Sequence, residues 1–207
     1  MLVFIDCGHG QRGDLYDPGA MSGALVEASL VRQIAPLLAD RVAQLGMEPV
    51  LVGEGFYTQR HKLVDEKAGD KPGVYLQLHC NAGRGKYALV RPDYRSKGGA
   101  ILAGLLALEL EELAGVVGHR SDPVYPSGLV AGGAGRDVST SDLVSWWTRG
   151  WGCISGIWPI PRVCGVIVEP GFIDQPDHAA LWTPAGLDQI AASLARGIGR
   201  YRIEQGI

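Results

Sequence analysis

Three short segments place chemically versatile side chains directly after apolar, strand-like runs. Asp6-Cys7-Gly8-His9-Gly10 follows Leu2-Val3-Phe4-Ile5, His79-Cys80-Asn81 follows Val74-Tyr75-Leu76-Gln77-Leu78, and Glu169-Pro170-Gly171-Phe172 follows Val163-Cys164-Gly165-Val166-Ile167-Val168. Neutral imidazole nitrogens and a carboxylate oxygen are ordinary zinc ligands, and three protein ligands with a fourth position open is the arrangement of a catalytic rather than a structural site. His9, Glu27 and His79 fill that count. A zinc ion so held lowers the pKa of its bound water to about 7 and polarises a carbonyl, which makes an amide attackable at neutral pH. A separate carboxylate must then move protons. Glu169 is the candidate, because it ends a strand so apolar that a charge there is costly unless function or a partner keeps it.

Side chains this far apart in the chain meet only if their strands lie side by side. Continuous apolar runs read as buried parallel strands, neighbouring strands lie about 4.8 Å apart, and in open α/β sheets the strand ends line the ligand crevice. The rest of the chain supports such a sheet. A glycine-rich loop over 8–23 precedes an apolar periodic stretch, 25–45, that reads as a helix stopped by Gly46 and kinked or divided by Pro36. A short strand over 49–52, a polar-faced helix over 57–68, a strand over 87–91 and helices over 99–113 and 184–201 complete the alternation. The reading is an α/β fold: one three-layer catalytic domain over 1–207, with a mainly parallel twisted sheet flanked by helices. A long irregular insertion, 115–161, rich in glycine and tryptophan, precedes the last strand, and connections of that length are usually lids or binding walls.

Bulk properties narrow the partners. A chain of 207 residues, 46% hydrophobic, can bury a substantial core. A net charge of −3 without a basic block excludes an electrostatic footprint for nucleic acid or an anionic membrane. The longest apolar helical run, 100–108, is far short of the roughly twenty residues a membrane span needs. Four scattered cysteines read as reduced thiols rather than a disulfide scaffold. With a strand at the N-terminus and no basic leader, the expectation is synthesis in the cytoplasm without a secretory signal.

Taken together, the motifs resemble the zinc-dependent N-acetylmuramoyl-L-alanine amidases of the amidase 3 type, over almost the whole chain. The family pattern is a strand ending in Asp-x-Gly-His-Gly, then Asp-Pro-Gly-Ala, a glutamate at a helix start, a strand ending in His-x-Asn, and a late Val-Glu-x-Gly-Phe. Here these are Asp6 to Gly10, Asp17-Pro18-Gly19-Ala20, Glu27, His79-Cys80-Asn81 and Val168 to Phe172. The resemblance implies zinc at His9, Glu27 and His79, Glu169 as catalytic carboxylate, and cleavage of the amide joining the lactyl group of muramic acid to L-alanine in peptidoglycan. It departs from the pattern at Cys7, Val26 and Cys80, and both thiols are expected near the metal. A bare catalytic domain resembles phage endolysins, which would make it a monomer held in the host cytoplasm until lysis.

Other accounts compete residue by residue. Asp6, Arg60 and Asn81 are read either as groups that orient the ligands or as salt-bridge and turn residues. Trp146, Trp147, Trp151 and Trp158 serve equally as a sugar-stacking wall or as a local core for the insertion. His61, His119 and His178 are read as solvated and are assigned nothing. As functions, a zinc peptidase or carboxypeptidase acting on stem peptides shares the ligand set. A non-catalytic wall-binding module and a cysteine hydrolase using Cys7 or Cys80 with His79 are further alternatives.

Overall fold

Strands β1 (Leu2–Cys7), β2 (Gly10–Arg12), β3 (Leu15–Asp17), β4 (Met21–Ser22) and β5 (Leu25–Val26) lead into helix α1 (Glu27–Gln44). Then follow β6 (Glu48–Val52), α2 (Tyr57–Ala68), β7 (Gly73–Leu78), β8 (Ala88–Pro92), α3 (Lys97–Glu111) and β9 (His119–Arg120). A short helix α4 (Gly152–Ser155), β10 (Val163–Glu169), a 3-10 helix (Pro176–Trp182) and the C-terminal helix α5 (Pro184–Gln205) close the order. This is a computed structural model, and it describes residues 1–93, 95–121 and 152–207.

Six strands form one sheet in the order β6-β1-β7-β10-β8-β9. β1 pairs in parallel with β6 and β7, and β7 with β10, whereas β8 runs antiparallel to β10. Alternation along the strands decides what each face covers. Val3, Ile5, Val74, Leu76, Val166 and Val168 pack against α1, α3 and the C-terminal helix through Val31, Leu38, Leu106 and Leu194. Leu2, Phe4, Tyr75 and Ile167 face the other way, onto Val64 and Ala68 of α2 and onto Cys153, Ile154 and Ile157. With both faces covered, the strands can be apolar throughout, as the sequence suggested.

Three expectations need correction. Pro36 does not divide α1, which is continuous from Glu27 to Gln44. An internal proline costs about 3 kcal/mol, but burial of Leu30, Ile34 and Leu38 contributes about 1.5–3 kcal/mol for each side chain, which outweighs it. The 8–23 segment is not loop throughout but two small hairpins, β2 with β3 and β4 with β5. The three unassigned histidines are not free in water. His178 is fully buried, its Nδ1 accepting from the Phe172 amide at 2.8 Å and its Nε2 lying 3.0 Å from the Gly115 carbonyl. His61 Nε2 meets the Cys153 carbonyl at 2.8 Å, and His119 Nδ1 meets Glu111 Oε2 at 2.6 Å. Each partner lies on another element, so spacing alone did not reveal it. No described helix is long and apolar enough to cross a membrane.

Candidate metal centre

The first candidate ligand follows the end of β1, the second opens α1, and the third follows the end of β7, which is paired with β1 up to Cys7 and Leu78. Adjacent parallel strands therefore deliver His9 and His79 to one edge of the sheet, and the returning chain presents Glu27 from the first turn of its helix. One donor atom from each of the three residues lies within 4.8 Å of the other two. His9 Nε2 and His79 Nδ1 are 3.0 Å apart, and Glu27 Oε1 is 3.2 Å from the former and 3.0 Å from the latter. Tetrahedral ligands at zinc-like bond lengths of about 2.0–2.1 Å would be separated by about 3.3 Å. The triangle has that scale.

The outer contacts fix which lone pairs face inward. His9 Nδ1 lies 2.9 Å from Asp17 Oδ2, a contact bent away from the ideal hydrogen-bond line, and His79 Nε2 lies 3.1 Å from Gln77 Oε1. A proton on each of those outer nitrogens leaves His9 Nε2 and His79 Nδ1 as bare acceptors pointed at each other and at a carboxylate. Glu27 is itself held, Oε2 accepting from the Ala20 amide at 2.6 Å and Oε1 from the Cys80 amide at 2.8 Å. Three converging acceptors repel unless a cation or a proton lies among them, so the donor set fits a divalent metal. The electrostatics agree. Burial pushes the His9 imidazole down, yet Glu27 and Asp17 outweigh it and leave its pKa raised. Burial likewise opposes ionisation of Glu27, but His79 and His9 hold its carboxyl well below the usual range.

Two glycines make room for this arrangement. A Cβ on Gly8 would stand 2.2 Å from His79 Nε2, and one on Gly19, where φ is +69°, would stand 2.4 Å from Glu27 Oε2. Only glycine fits either place without moving a donor.

The donors open onto a cleft of about 290 Å³ that is also lined by Arg12, Tyr57, Cys80, Cys153, Ile167 and Glu169. Glu169 closes β10 beside them, half-buried and enclosed by protein except toward the cleft. Burial raises its pKa above the ordinary carboxylate value, and Glu27 adds to the shift, although His79 and Arg91 oppose it. A carboxyl raised in this way holds its proton more readily than a free one, as a group that must both take and give a proton requires.

The remaining candidates fall elsewhere. Asp6 and Arg60 form a buried ion pair, Nη1 to Oδ1 at 2.6 Å, and Tyr75 donates its hydroxyl to the other Asp6 oxygen. They touch none of the three donors directly, although Gln77, which does touch His79, is in register with Asp6. Asn81 is a turn residue. Its Oδ1 accepts from the Ala82 amide, and its backbone bonds Gly171 and Ile173, tying the loop after β7 to that after β10. Trp158 is 45% exposed beneath the Arg95 guanidinium, 4.2 Å from the ring centroid, and is not among the cleft residues. Trp146, Trp147 and Trp151 lie outside the described residues. Of the two thiols expected near the metal, Cys80 lines the cleft but Cys7 does not. Asp6 takes the cleft-side face of β1, so Cys7 points to α1, its Sγ 3.6 Å from the Val31 carbonyl. Burial pushes the Cys80 thiol well up, which leaves it a poor nucleophile.

Sequence reasoning gave no role to Asp17, Gln77, Arg12, Tyr57 or Cys153. Two of these carried a signal. Asp17 stands inside the Asp-Pro-Gly-Ala segment, and Gln77 is the polar exception in an apolar strand.

No protein-family model matches the chain, and no curated protein matches it. Solved structures do. Cwp6 from Clostridium difficile superposes with a TM-score of 0.70 at 18% identity over 95% of this chain and 28% of that one, so the chain spans little more than a quarter of Cwp6. The N-acetylmuramoyl-L-alanine amidase AmiC2 of Nostoc punctiforme gives 0.66 at 18% identity, covering 97% of this chain and 96% of that one. The catalytic domain of the CD27L endolysin targeting Clostridia difficile gives 0.61 at 17% identity, covering 95% and 97%. At these identities the likeness is one of fold.

Proposed function

We propose that the chain is a zinc-dependent amidase that hydrolyses the bond between N-acetylmuramic acid and L-alanine in peptidoglycan. The observation that carries this reading is the convergence of His9 Nε2, His79 Nδ1 and Glu27 Oε1 on one point beside Glu169. The fold shared with N-acetylmuramoyl-L-alanine amidases supports the choice of bond. Similarity to an endolysin catalytic domain supports a wall-lytic role.

His9, His79 and Glu27 would hold a zinc ion, which would supply a water of lowered pKa, about 7, and polarisation of the substrate carbonyl. The chain's own residues do the rest. Asp17 and Gln77 hold the two imidazoles in the tautomers that keep their inward nitrogens bare. Glu169 accepts the proton of the attacking water and delivers it to the nitrogen of the departing alanine. Its raised pKa suits both halves of that cycle, because a much stronger acid would not hold the proton between them.

Mass spectrometry of peptidoglycan digested with and without a chelator tests the reading. Intact stem peptides freed from glycan, lost on chelation and restored by zinc, are expected. Release of single C-terminal residues would show a peptidase instead, and unchanged peptidoglycan to which the protein binds would show a wall-binding module.

A further inference from the structure

The hairpin of β2 and β3 carries a second, unassigned binding feature. Its two-residue loop begins with Gly13 at φ +61°, the left-handed position that such a turn requires. Register pairs Arg12 with Leu15 and Gly10 with Asp17, so Arg12, Leu15 and Asp17 project from one face and Tyr16 from the other. The first face is graded. Asp17 meets the His9 imidazole, Arg12 lines the cleft, and Leu15 at the outer end is 73% exposed.

The Arg12 guanidinium lies over the Tyr57 ring, 5.1 Å from its centroid, and makes its polar contacts through one nitrogen. Its Nη2 donates to the Gly8 carbonyl at 3.0 Å and to the Tyr57 hydroxyl at 3.3 Å, and it forms an ion pair with Asp17, whose Oδ2 lies 3.1 Å away. Nη1 has no hydrogen-bond partner among the described residues and is open to solvent. A planar cation anchored through one nitrogen and open at another, beside an exposed leucine, suits a ligand that carries a carboxylate next to an apolar group. We infer that Arg12 and Leu15 form a subsite for the peptide side of the substrate, in which Arg12 binds a carboxylate on the residue following L-alanine. This rests on the amide-hydrolysis reading above and adds to it a preference for an acidic stem peptide.

The test compares disaccharide-tripeptide muropeptides whose second residue carries either a free α-carboxylate or its amide. The wild-type protein is expected to show a KM about tenfold lower for the acid, with similar kcat for both. Arg12→Gln should raise KM for the acid to that of the amide, and Arg12→Lys should restore part of the difference. Because Arg12→Gln also loses the contact to Asp17, Leu15→Asp provides a second probe. This exposed position folds with either residue, and a carboxylate there would occupy Arg12 and abolish the preference. Equal KM values for acid and amide in the wild type, or equal losses on both substrates in Arg12→Gln with Leu15→Asp unchanged, would overturn the subsite while leaving amide hydrolysis intact. Cleavage of neither substrate by the zinc-loaded protein would overturn the amidase reading itself, and the subsite with it.

Discussion

Gln77 Oε1 lies 3.1 Å from His79 Nε2, two residues further along the same chain segment and on the same face of the sheet. The amide oxygen accepts the outer imidazole N–H and leaves Nδ1 turned toward Glu27 and His9. Gln77 is fully buried, so no water can replace it.

Gln77→Leu therefore frees the His79 ring to rotate and change tautomer. Zinc affinity should fall about 10- to 100-fold, the usual effect of removing a group that orients a ligand. Competition titration with a chromophoric chelator would measure it. An unchanged affinity would mean that packing alone holds the ring.

Glu169→Gln should lower kcat by about 100- to 10,000-fold, the span of a general acid–base contribution, with zinc content unchanged. The same substitution should stabilise the metal-free protein. Because burial raises the Glu169 pKa, the folded chain keeps this proton over a range of pH in which the unfolded chain has lost it. Stability then falls as pH rises from the ordinary carboxyl value through the raised one, and glutamine removes that loss. The gain would appear as a higher melting temperature in chelator at neutral pH, and no difference there would show that the carboxyl is not held protonated.

Arg60→Met leaves the buried Asp6 carboxyl without its cation, held only by Tyr75 and Gln77. Loss of one partner of a buried pair costs about 3–5 kcal/mol, which urea unfolding would register as a lower midpoint. The double variant Asp6→Leu with Arg60→Met should recover most of that loss, since it removes both charges together. If it does not, the pair has a role beyond mutual neutralisation.

Zinc should raise the melting temperature of the wild-type protein, by an amount equivalent to about 2.7 kcal/mol when free zinc is 100 times its dissociation constant. Gly19→Ala should lose this response. Its new methyl would stand 2.4 Å from Glu27 Oε2 and 2.7 Å from the His9 ring, on a backbone whose φ of +69° already disfavours a side chain. Thermal scans with and without zinc decide the matter, and a variant that still responds in full would show that the donors can shift to accommodate the methyl.

The sequence by itself determined the strands and what stands at their ends. Burial on both faces demands unbroken apolar runs, so β1, β7 and β10 were legible, as was α2 from Tyr57 to Ala68, and a charged or imidazole side chain just past such a run is conspicuous. His9, His79 and Glu169 were singled out that way, whereas Glu27 was singled out as the glutamate at a helix start. Tertiary structure alone decided which groups serve them. Asp17, Gln77 and Arg12 act through contacts a few ångströms long, set by the Asp6 to Gln77 register and by a three-residue hairpin. The same structure turned Cys7 away from the cleft, reversed β8 against β10, and buried His178 between Phe172 and Gly115. Hydrophobic periodicity reports whether a residue is covered, which is a local property. It does not report which distant residue covers it, because strand order and register are settled only when the whole sheet packs.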